Sequence, residues 1–399
     1  MKKLFFIIIL CLFTIISKGQ IKGTIWDVKG IYDIPQYKTI STDSAIGITY
    51  QGLMYKGKPQ NVFAYYATPG TLSGDRSKDK NLPMVILVHG GGGTAFKEWA
   101  IMWAKKGYAA LSMDLRGNGP GKKHIEGGFD EDNAQTPYFT ITPNINEQWM
   151  FQAVADVILA NNLVRSFPEV DVNRTAITGI SWGGIITCLM AGVDQRYKVA
   201  VPVYGCGYLL QNSSMRQGLL QLNEQDRQTW VKQYDPSNYI GKTKMPMLFL
   251  NGANDPHFYL DSYAKTYRLV KDINLCIKMG LKHSHHYGWA SDEIFAFVNS
   301  YLNHSTPLAI IGEPVPNGNA TIIARVKYST HINKVFLNFT QDTTSVLMKR
   351  KWESTEVKIN KDQIIAPQPP VGTTIWYLSL VDDKGLQVSG PLQFIDPKL

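Results

Sequence analysis

The chain has 399 residues, 44% of them hydrophobic and 18% charged. This is a globular composition with room for one large or two medium domains and a core that needs no disulfide staples. It excludes wholesale disorder and collagen-like or coiled-coil fibres. The formal charge of +9 comes from 41 Lys and Arg against 32 Asp and Glu, scattered apart from short clusters such as Lys122-Lys123 and Lys349-Arg350-Lys351, so no nucleic-acid partner is expected.

Residues 1–20, MKKLFFIIILCLFTIISKGQ, begin with Lys2 and Lys3, run apolar from Leu4 to Ile16 and end on the small residues Ser17 and Gly19. That is the order of an export leader, and the run is shorter than the about 20 apolar residues that cross a bilayer. Residues 1–19 are therefore expected to be a signal peptide, leaving a soluble mature protein, periplasmic or secreted, with no membrane span. Cys11 sits inside the apolar run, which argues against a lipid anchor. Cys188, Cys206 and Cys276 remain, an odd count that cannot form a full disulfide framework, and their apolar surroundings mark them as buried, inert thiols.

Beyond the leader, residues 46–67 alternate weakly around the turn Lys56-Gly57-Lys58 and read as an antiparallel hairpin. Short β-branched or apolar runs at 85–88, 108–113, 175–178, 199–203, 247–250 and 275–279 read as buried strands. Helical patterns lie at 147–166, 185–192, 261–272 and 291–302, the last with Ser291 as its cap and acidic residues in its first turn. Strands alternating with helices predict an α/β fold with a doubly wound, mostly parallel sheet across residues 20–305. Residues 118–146, rich in Gly, Pro, Asn and Asp, read as a surface loop near the site. Residues 207–244 insert polar helical sequence between two strands, suited to a lid or a pocket wall. After a proline-containing linker at 307–316, short period-two segments at 322–328, 334–339, 346–352, 356–359 and 376–381 predict an accessory immunoglobulin- or fibronectin-like β-sandwich over 306–399.

Four short pieces carry chemistry. Gly179-Ile180-Ser181-Trp182-Gly183-Gly184 stands between a strand and a helix, where a tight turn lifts the Ser181 hydroxyl to a helix N-terminus as a nucleophile. His89-Gly90-Gly91-Gly92-Gly93 follows a strand, and its backbone N–H groups suit a developing oxyanion, a role in which one lost donor costs about 3–4 kcal/mol. The two donors are expected to be the N–H of Trp182 and that of Gly91 or Gly92. The glycine run lacks the spacing of a phosphate-binding loop, and His89 reads as a structural loop residue. Asn251-Gly252-Ala253-Asn254-Asp255-Pro256-His257 puts Asp255 just past a strand end, placed to orient a histidine, with His257 lining the pocket or structural. His283-Ser284-His285-His286 follows the last strand of the unit and should supply the general base. His285 is preferred because a small residue precedes it, with His283 as the alternative base and His286 third. No metal ligand set at usable spacing stands out, and no cofactor is expected.

Together with Asp114-Leu115-Arg116-Gly117-Asn118-Gly119 and Asp171-Val172-Asn173-Arg174, these pieces resemble the serine α/β-hydrolases. The resemblance is nearest to the acetylxylan-esterase-like and prolyl-oligopeptidase-like branch, whose relatives include dienelactone hydrolases. It covers about residues 46–302 and implies an α/β-hydrolase domain with Ser181, Asp255 and a histidine of the 283–286 cluster as its triad. The large propeller of the oligopeptidases is absent, and serine stands where dienelactone hydrolases have cysteine.

The expected activity is that of an exported serine carboxylesterase removing short acyl groups, acetyl most simply, from a small-molecule or polysaccharide ester. The alternatives are a serine peptidase with the same triad and a carbohydrate-binding module on a hydrolase scaffold. Tyr204, Tyr208, Trp149 and Trp289 are candidates for a sugar-stacking surface, and Trp352 or Trp376 for glycan binding by the C-terminal unit. Nothing in the sequence sets the oligomeric state.

Overall fold

A computed structural model describes residues 22–130, 137–344 and 346–395; the expected leader, with Cys11, lies outside the described residues. Nine strands build the first unit: β1 (Tyr37–Thr42), β2 (Ile46–Tyr55), β3 (Lys58–Ala67), β4 (Leu82–Val88), β5 (Ala109–Met113), β6 (Val170–Ile180), β7 (Val199–Val203), β8 (Met247–Gly252) and β9 (Ile273–Lys278). Their spatial order is β1-β2-β3-β5-β4-β6-β7-β8-β9. β1, β2 and β3 pair antiparallel, β3 meets β5 antiparallel, and every pairing from β5 to β9 is parallel.

The parallel strands read as unbroken apolar runs because helices cover both faces. Met84 through Val88 and Ala109 through Met113 are buried at every residue. Helices Lys97–Ala104, Trp149–Arg165, Trp182–Val193 and Leu260–Tyr267 fill the crossovers after β4, β5, β6 and β8, and Asp292–Leu302 follows β9. The Trp149–Arg165 helix is buried over nearly its whole length because the N-terminal segment lies across it. Trp26 is fully buried there, stacked on Phe151 with its indole N–H donating to the Phe151 carbonyl at 3.0 Å.

Topology also fixes where a ligand can sit. From β4 the chain crosses to β5 on one side and then returns to β6 on the other, so the two connections diverge above the carboxyl ends of β4 and β6. An open crevice forms at such a switch point. The glycine run leaves β4 there, and Ser181 leaves β6.

The C-terminal region is joined to the first unit by strand pairing. Its strands are Ile310–Ile311, Val315–Asn317, Thr321–Lys327, Ile332–Thr340, Glu353–Glu356, Lys358–Asn360, Gln363–Pro367, Ile375–Asp382, Gln387–Ser389 and Gln393–Phe394. Five of them form one sheet, and the rest extend the first unit's sheet: Gln387–Ser389 pairs antiparallel with β9 through Ser389 and Leu275. The seam is dense in polar contacts. Ser389 Oγ accepts from the Ile277 N–H at 2.9 Å, and Gln387 N–H donates to Glu293, whose other oxygen holds Lys278 at 2.7 Å. Tyr267 Oη accepts from Leu392 N–H at 2.9 Å. An edge strand left bare would be open to pairing with other chains, and this seam covers β9.

Some boundaries also differ. The expected strand at 346–352 is a 3-10 turn, Leu347–Lys349, and one short strand, Ile310–Ile311, falls inside the expected linker while another, Val315–Asn317, overlaps its end. Trp376 is buried and Trp352 is half-buried against the Tyr377 ring, so neither is displayed for a glycan. Cys188, Cys206 and Cys276 are buried free thiols, and burial pushes all three well above the usual thiol range. Among the described residues no helix is long and apolar enough to cross a membrane.

Candidate active site

The turn between β6 and the helix Trp182–Val193 is built by exclusion of side chains. A Cβ on Gly183 would stand 2.0 Å from the Val88 carbonyl oxygen, and one on Gly179 would stand 2.2 Å from the Gly183 oxygen. Only glycine lets the helix start this close to β4 and β6. Ser181 takes φ 60° and ψ −114°, a conformation that costs an L-residue of order 1–3 kcal/mol. Its neighbours hold it there: its N–H donates to Val203 O at 2.9 Å, and its carbonyl accepts from Ile185 N–H at 3.0 Å.

Ser181 Oγ lies 3.0 Å from His283 Nε2, and His283 Nδ1 lies 2.7 Å from Asp255 Oδ2. The chain Ser181–His283–Asp255 is therefore continuous. His285, preferred on the sequence, is not in it. Its Nε2 instead accepts from the Gly90 N–H at 2.9 Å, and His286 is exposed. The small residue before His285 that favoured it serves a different purpose: Ser284 caps the short helix His285–Trp289, its Oγ accepting from Tyr287 N–H.

Asp255 is buried, and its second oxygen accepts from the N–H groups of His257 and Phe258, both at 2.8 Å. A carboxylate that meets two amides on one oxygen and an imidazole N–H on the other holds the proton of His283 on Nδ1. Nε2 is then the free base that faces Ser181. The rings of Tyr204 and Phe258 flank His283 at 4.5 and 6.0 Å between centroids. Asn254, beside the acid, donates to the Arg350 carbonyl at 2.7 Å, so the C-terminal region braces this turn.

The glycine run lies against Ser181. His89 is buried; Leu115 N–H donates to its Nε2 at 2.9 Å, so its proton is on Nδ1, which donates to Gly90 O at 2.7 Å. His89 is thus a brace for the loop, as its setting in the sequence implied. Of the two expected oxyanion donors in this run, the Gly92 N–H points at Tyr138 Oη, 3.3 Å away. The Gly91 and Trp182 amides have no acceptor among the described residues, and Trp182 opens its helix, where first-turn amides have no helical partner.

A cavity of about 390 Å³ opens over these groups. One wall is aromatic, with Tyr138 stacked on Trp182 at 4.5 Å and Phe139 edge-on to it. The 207–244 insertion adds Ser214, Met215 and Gly218 to the lining, with Gly218 against the Phe139 ring. Ser214 Oγ lies 2.9 Å from His257 Nδ1, and burial together with the neighbouring His283 lowers the pKa of His257. Tyr138 and Phe139 went unnoticed in the sequence because they lie within the glycine- and asparagine-rich 118–146 loop, which has no periodic signal. Three of the four aromatics singled out there are packed instead: Tyr204 lies on His283, Trp149 is buried with its N–H on the Leu115 carbonyl, and Trp289 lies against Phe96 and Trp99, while Tyr208 is half-buried and outside the cavity lining. Among the described residues no cluster of three or more His, Cys, Asp or Glu side chains forms a metal site.

The parallel sheet with its antiparallel lead-in, the serine at the strand-to-helix turn and the histidine and acid delivered from β9 and β8 define a serine hydrolase of the α/β-hydrolase class. Within that class the chain belongs to the acetyl xylan esterase (AXE1) family, which it matches over residues 34–238, just over half its length. A second match, to the PhoPQ-activated pathogenicity-related protein family, covers residues 204–346. Among solved structures, an acetyl xylan esterase from Paenibacillus sp. R4 superposes with a TM-score of 0.54 at 20% identity, covering 67% of this chain and 89% of that one. Acetyl xylan esterase 1 from Thermoanaerobacterium sp. JW/SL YS485 gives 0.53 at 17%, covering 67% and 90%. At these identities the likeness is one of fold.

Curated relatives include the human acylamino-acid-releasing enzyme, 26% identical over 241 residues, and dipeptidyl aminopeptidase BIII of Pseudoxanthomonas mexicana, 26% over 206. These matches take in 55% and 46% of this chain but only 31% and 27% of those enzymes, so the chain corresponds to about a third of the length of its curated relatives.

Proposed function

We propose that the protein is an exported serine carboxylesterase that removes short acyl groups, acetyl above all, from carbohydrate or polysaccharide esters. The observation that carries the reading is the unbroken chain Ser181–His283–Asp255 beside two amides, Gly91 and Trp182, that lack an acceptor among the described residues. His283 Nε2 takes the Ser181 proton as Oγ attacks the ester carbonyl. The oxyanion forms against the Gly91 and Trp182 N–H groups and the positive end of the Trp182–Val193 helix. Asp255 stabilises the imidazolium, which then protonates the leaving alcohol. Water, deprotonated by His283, attacks the acyl-enzyme, and the acid departs from Ser181.

Family membership supports an ester substrate. A short acyl group is favoured because the Tyr138 and Trp182 rings crowd the oxyanion loop: a Cβ on Gly91 would already lie 2.7 Å from the Trp182 ring. Residues 1–19 are the export leader in this reading. The two C-terminal sheets form the leaves of an accessory β-sandwich, with Ile322, Ala324 and Val326 of one leaf and Val335, Leu337 and Phe339 of the other buried. The peptidase names of the curated relatives favour a second reading, in which the same triad cleaves an amide.

The test is hydrolysis of p-nitrophenyl acetate, butyrate and octanoate beside aminoacyl p-nitroanilides, by wild type and Ser181→Ala. The esterase reading expects acetate to be the best substrate and the variant to fall by about 10⁴-fold or more. Faster cleavage of the anilides would replace it with the peptidase reading.

A further inference from the structure

We propose that His285 is a positioning residue that aims the Gly91 N–H at the oxyanion by holding the peptide before it. The inference rests on the reading of Ser181 as nucleophile and Gly91 as donor, and concerns what keeps that donor in place.

A glycine run is the least self-determined backbone a protein can use, so its geometry has to be imposed from outside. Gly90 is bound at both of its polar atoms. Its N–H donates to His285 Nε2 at 2.9 Å, and its carbonyl accepts from His89 Nδ1 at 2.7 Å and from Gly93 N–H at 3.0 Å. The Gly90 carbonyl and the Gly91 N–H belong to one planar trans peptide and point in opposite directions. Fixing the carbonyl towards His89 and Gly93 therefore turns the Gly91 N–H the other way. That leaves rotation about the two Gly90 backbone bonds, which the His285 bond to the preceding peptide removes.

The loop is shaped to the ring. A Cβ on Gly90 would lie 3.1 Å from His285 Nε2, and one on Gly93 would lie 2.8 Å from it, so both glycines make room for the imidazole. The ring itself is held by Phe96 at 4.8 Å and by Trp289 at 6.3 Å between centroids. Burial is the largest influence on it, followed by His89 on the glycine loop, His283 on its own segment and Lys122 from the 118–146 loop. The pKa is pushed down to about 4, so the ring stays an acceptor at neutral pH. One segment after β9 thus delivers the base, His283, and two residues later the clamp on the oxyanion donor.

The experiment compares wild type with His285→Phe, which keeps a ring and removes the acceptor, and with His285→Gln, which restores an acceptor. Two readouts are taken: the rate at which a fluorophosphonate labels Ser181, and kcat and KM for p-nitrophenyl acetate. Thermal melting checks that each variant is folded, and His285→Leu makes the same prediction should the phenylalanine disturb the fold. The expected result is a fall of about 10- to 100-fold in labelling rate and kcat for the phenylalanine variant, with KM within about 2-fold and most of the loss recovered in the glutamine variant. Labelling at the wild-type rate in the phenylalanine variant, or an equal fall in both variants, overturns the proposal. A wild type that labels but does not hydrolyse acetate refutes the esterase reading alone, because the labelling comparison still decides the role of His285. A wild type that does not label overturns both.

Discussion

Asp255→Asn separates orientation from scaffolding. In the native turn one carboxylate oxygen meets the N–H groups of His257 and Phe258 at 2.8 Å, and the other meets His283 at 2.7 Å. Asparagine keeps an oxygen for the two amides but turns an NH₂ towards His283 Nδ1. The imidazole must then accept at Nδ1 and carry its proton on Nε2, where it faces Ser181 as a donor and cannot take the serine proton. A wrong tautomer of this kind costs about 10⁴-fold in kcat, or about 5.5 kcal/mol. Stability should change little, because both backbone bonds survive. Asp255→Ala leaves the buried Phe258 N–H and the partly buried His257 N–H without an acceptor and should lose about 2–4 kcal/mol of stability in addition. The assay is kcat on the best ester found, with urea unfolding midpoints for all three proteins. The reasoning fails if the asparagine variant keeps kcat within about tenfold of wild type, or if it is as unstable as the alanine variant.

Three further outcomes follow from the same geometry. Gly183→Ala puts a Cβ 2.0 Å from Val88 O and should cost about 3 kcal/mol; an unchanged denaturation midpoint would show that the elbow can relax at no cost. Burial raises the carboxyl of Asp156 well above its usual range, so the folded state binds a proton that the unfolded chain releases near pH 4. Wild-type stability from this group is present below that pH and is lost as pH rises through the folded pKa. The stability of Asp156→Asn relative to wild type should therefore increase between pH 5 and pH 8, and urea midpoints at the two values that keep a constant difference would contradict this. Finally, a chain ending at Ser305 uncovers β9 and should be insoluble or melt well below the whole protein in a scanning-fluorimetry comparison, whereas a dispensable accessory module would leave it soluble with its melting point unchanged.

Much of the catalytic half is legible because its signals are local. The buried strands announce themselves as short β-branched runs, and glycines flanking a serine between a strand and a helix have a steric reason that the 2.0 and 2.2 Å approaches bear out. What escaped depends on partners far apart in sequence. Three histidines within four residues present the same chemistry, and only the path of the chain after β9 decides which of them meets Asp255 and which meets Gly90, 195 positions away. The choice of His285 used a small neighbour, Ser284, whose hydroxyl turns out to cap a helix. The seam between Ser389 and Leu275 is likewise invisible, since a three-residue strand carries no periodicity and its partner lies over 100 residues earlier.

Because one sheet runs through both halves, its ends among the described residues lie in places neither half would choose for itself. At one end stands β1; at the other stands Glu353–Glu356, and every residue of both strands is exposed. An open strand is a template for adding another chain. β1 is broken by a bulge between Thr39 and Ser41 and carries Lys38, while the far strand carries Glu353 and Glu356. Two copies approaching with the same end forward meet like charges, and the meeting of opposite ends, which charge would permit, is spoiled by the bulge. The features that oppose edge-to-edge pairing thus sit on a handful of residues at the two extremities of the sheet, and neither group guards both ends alone.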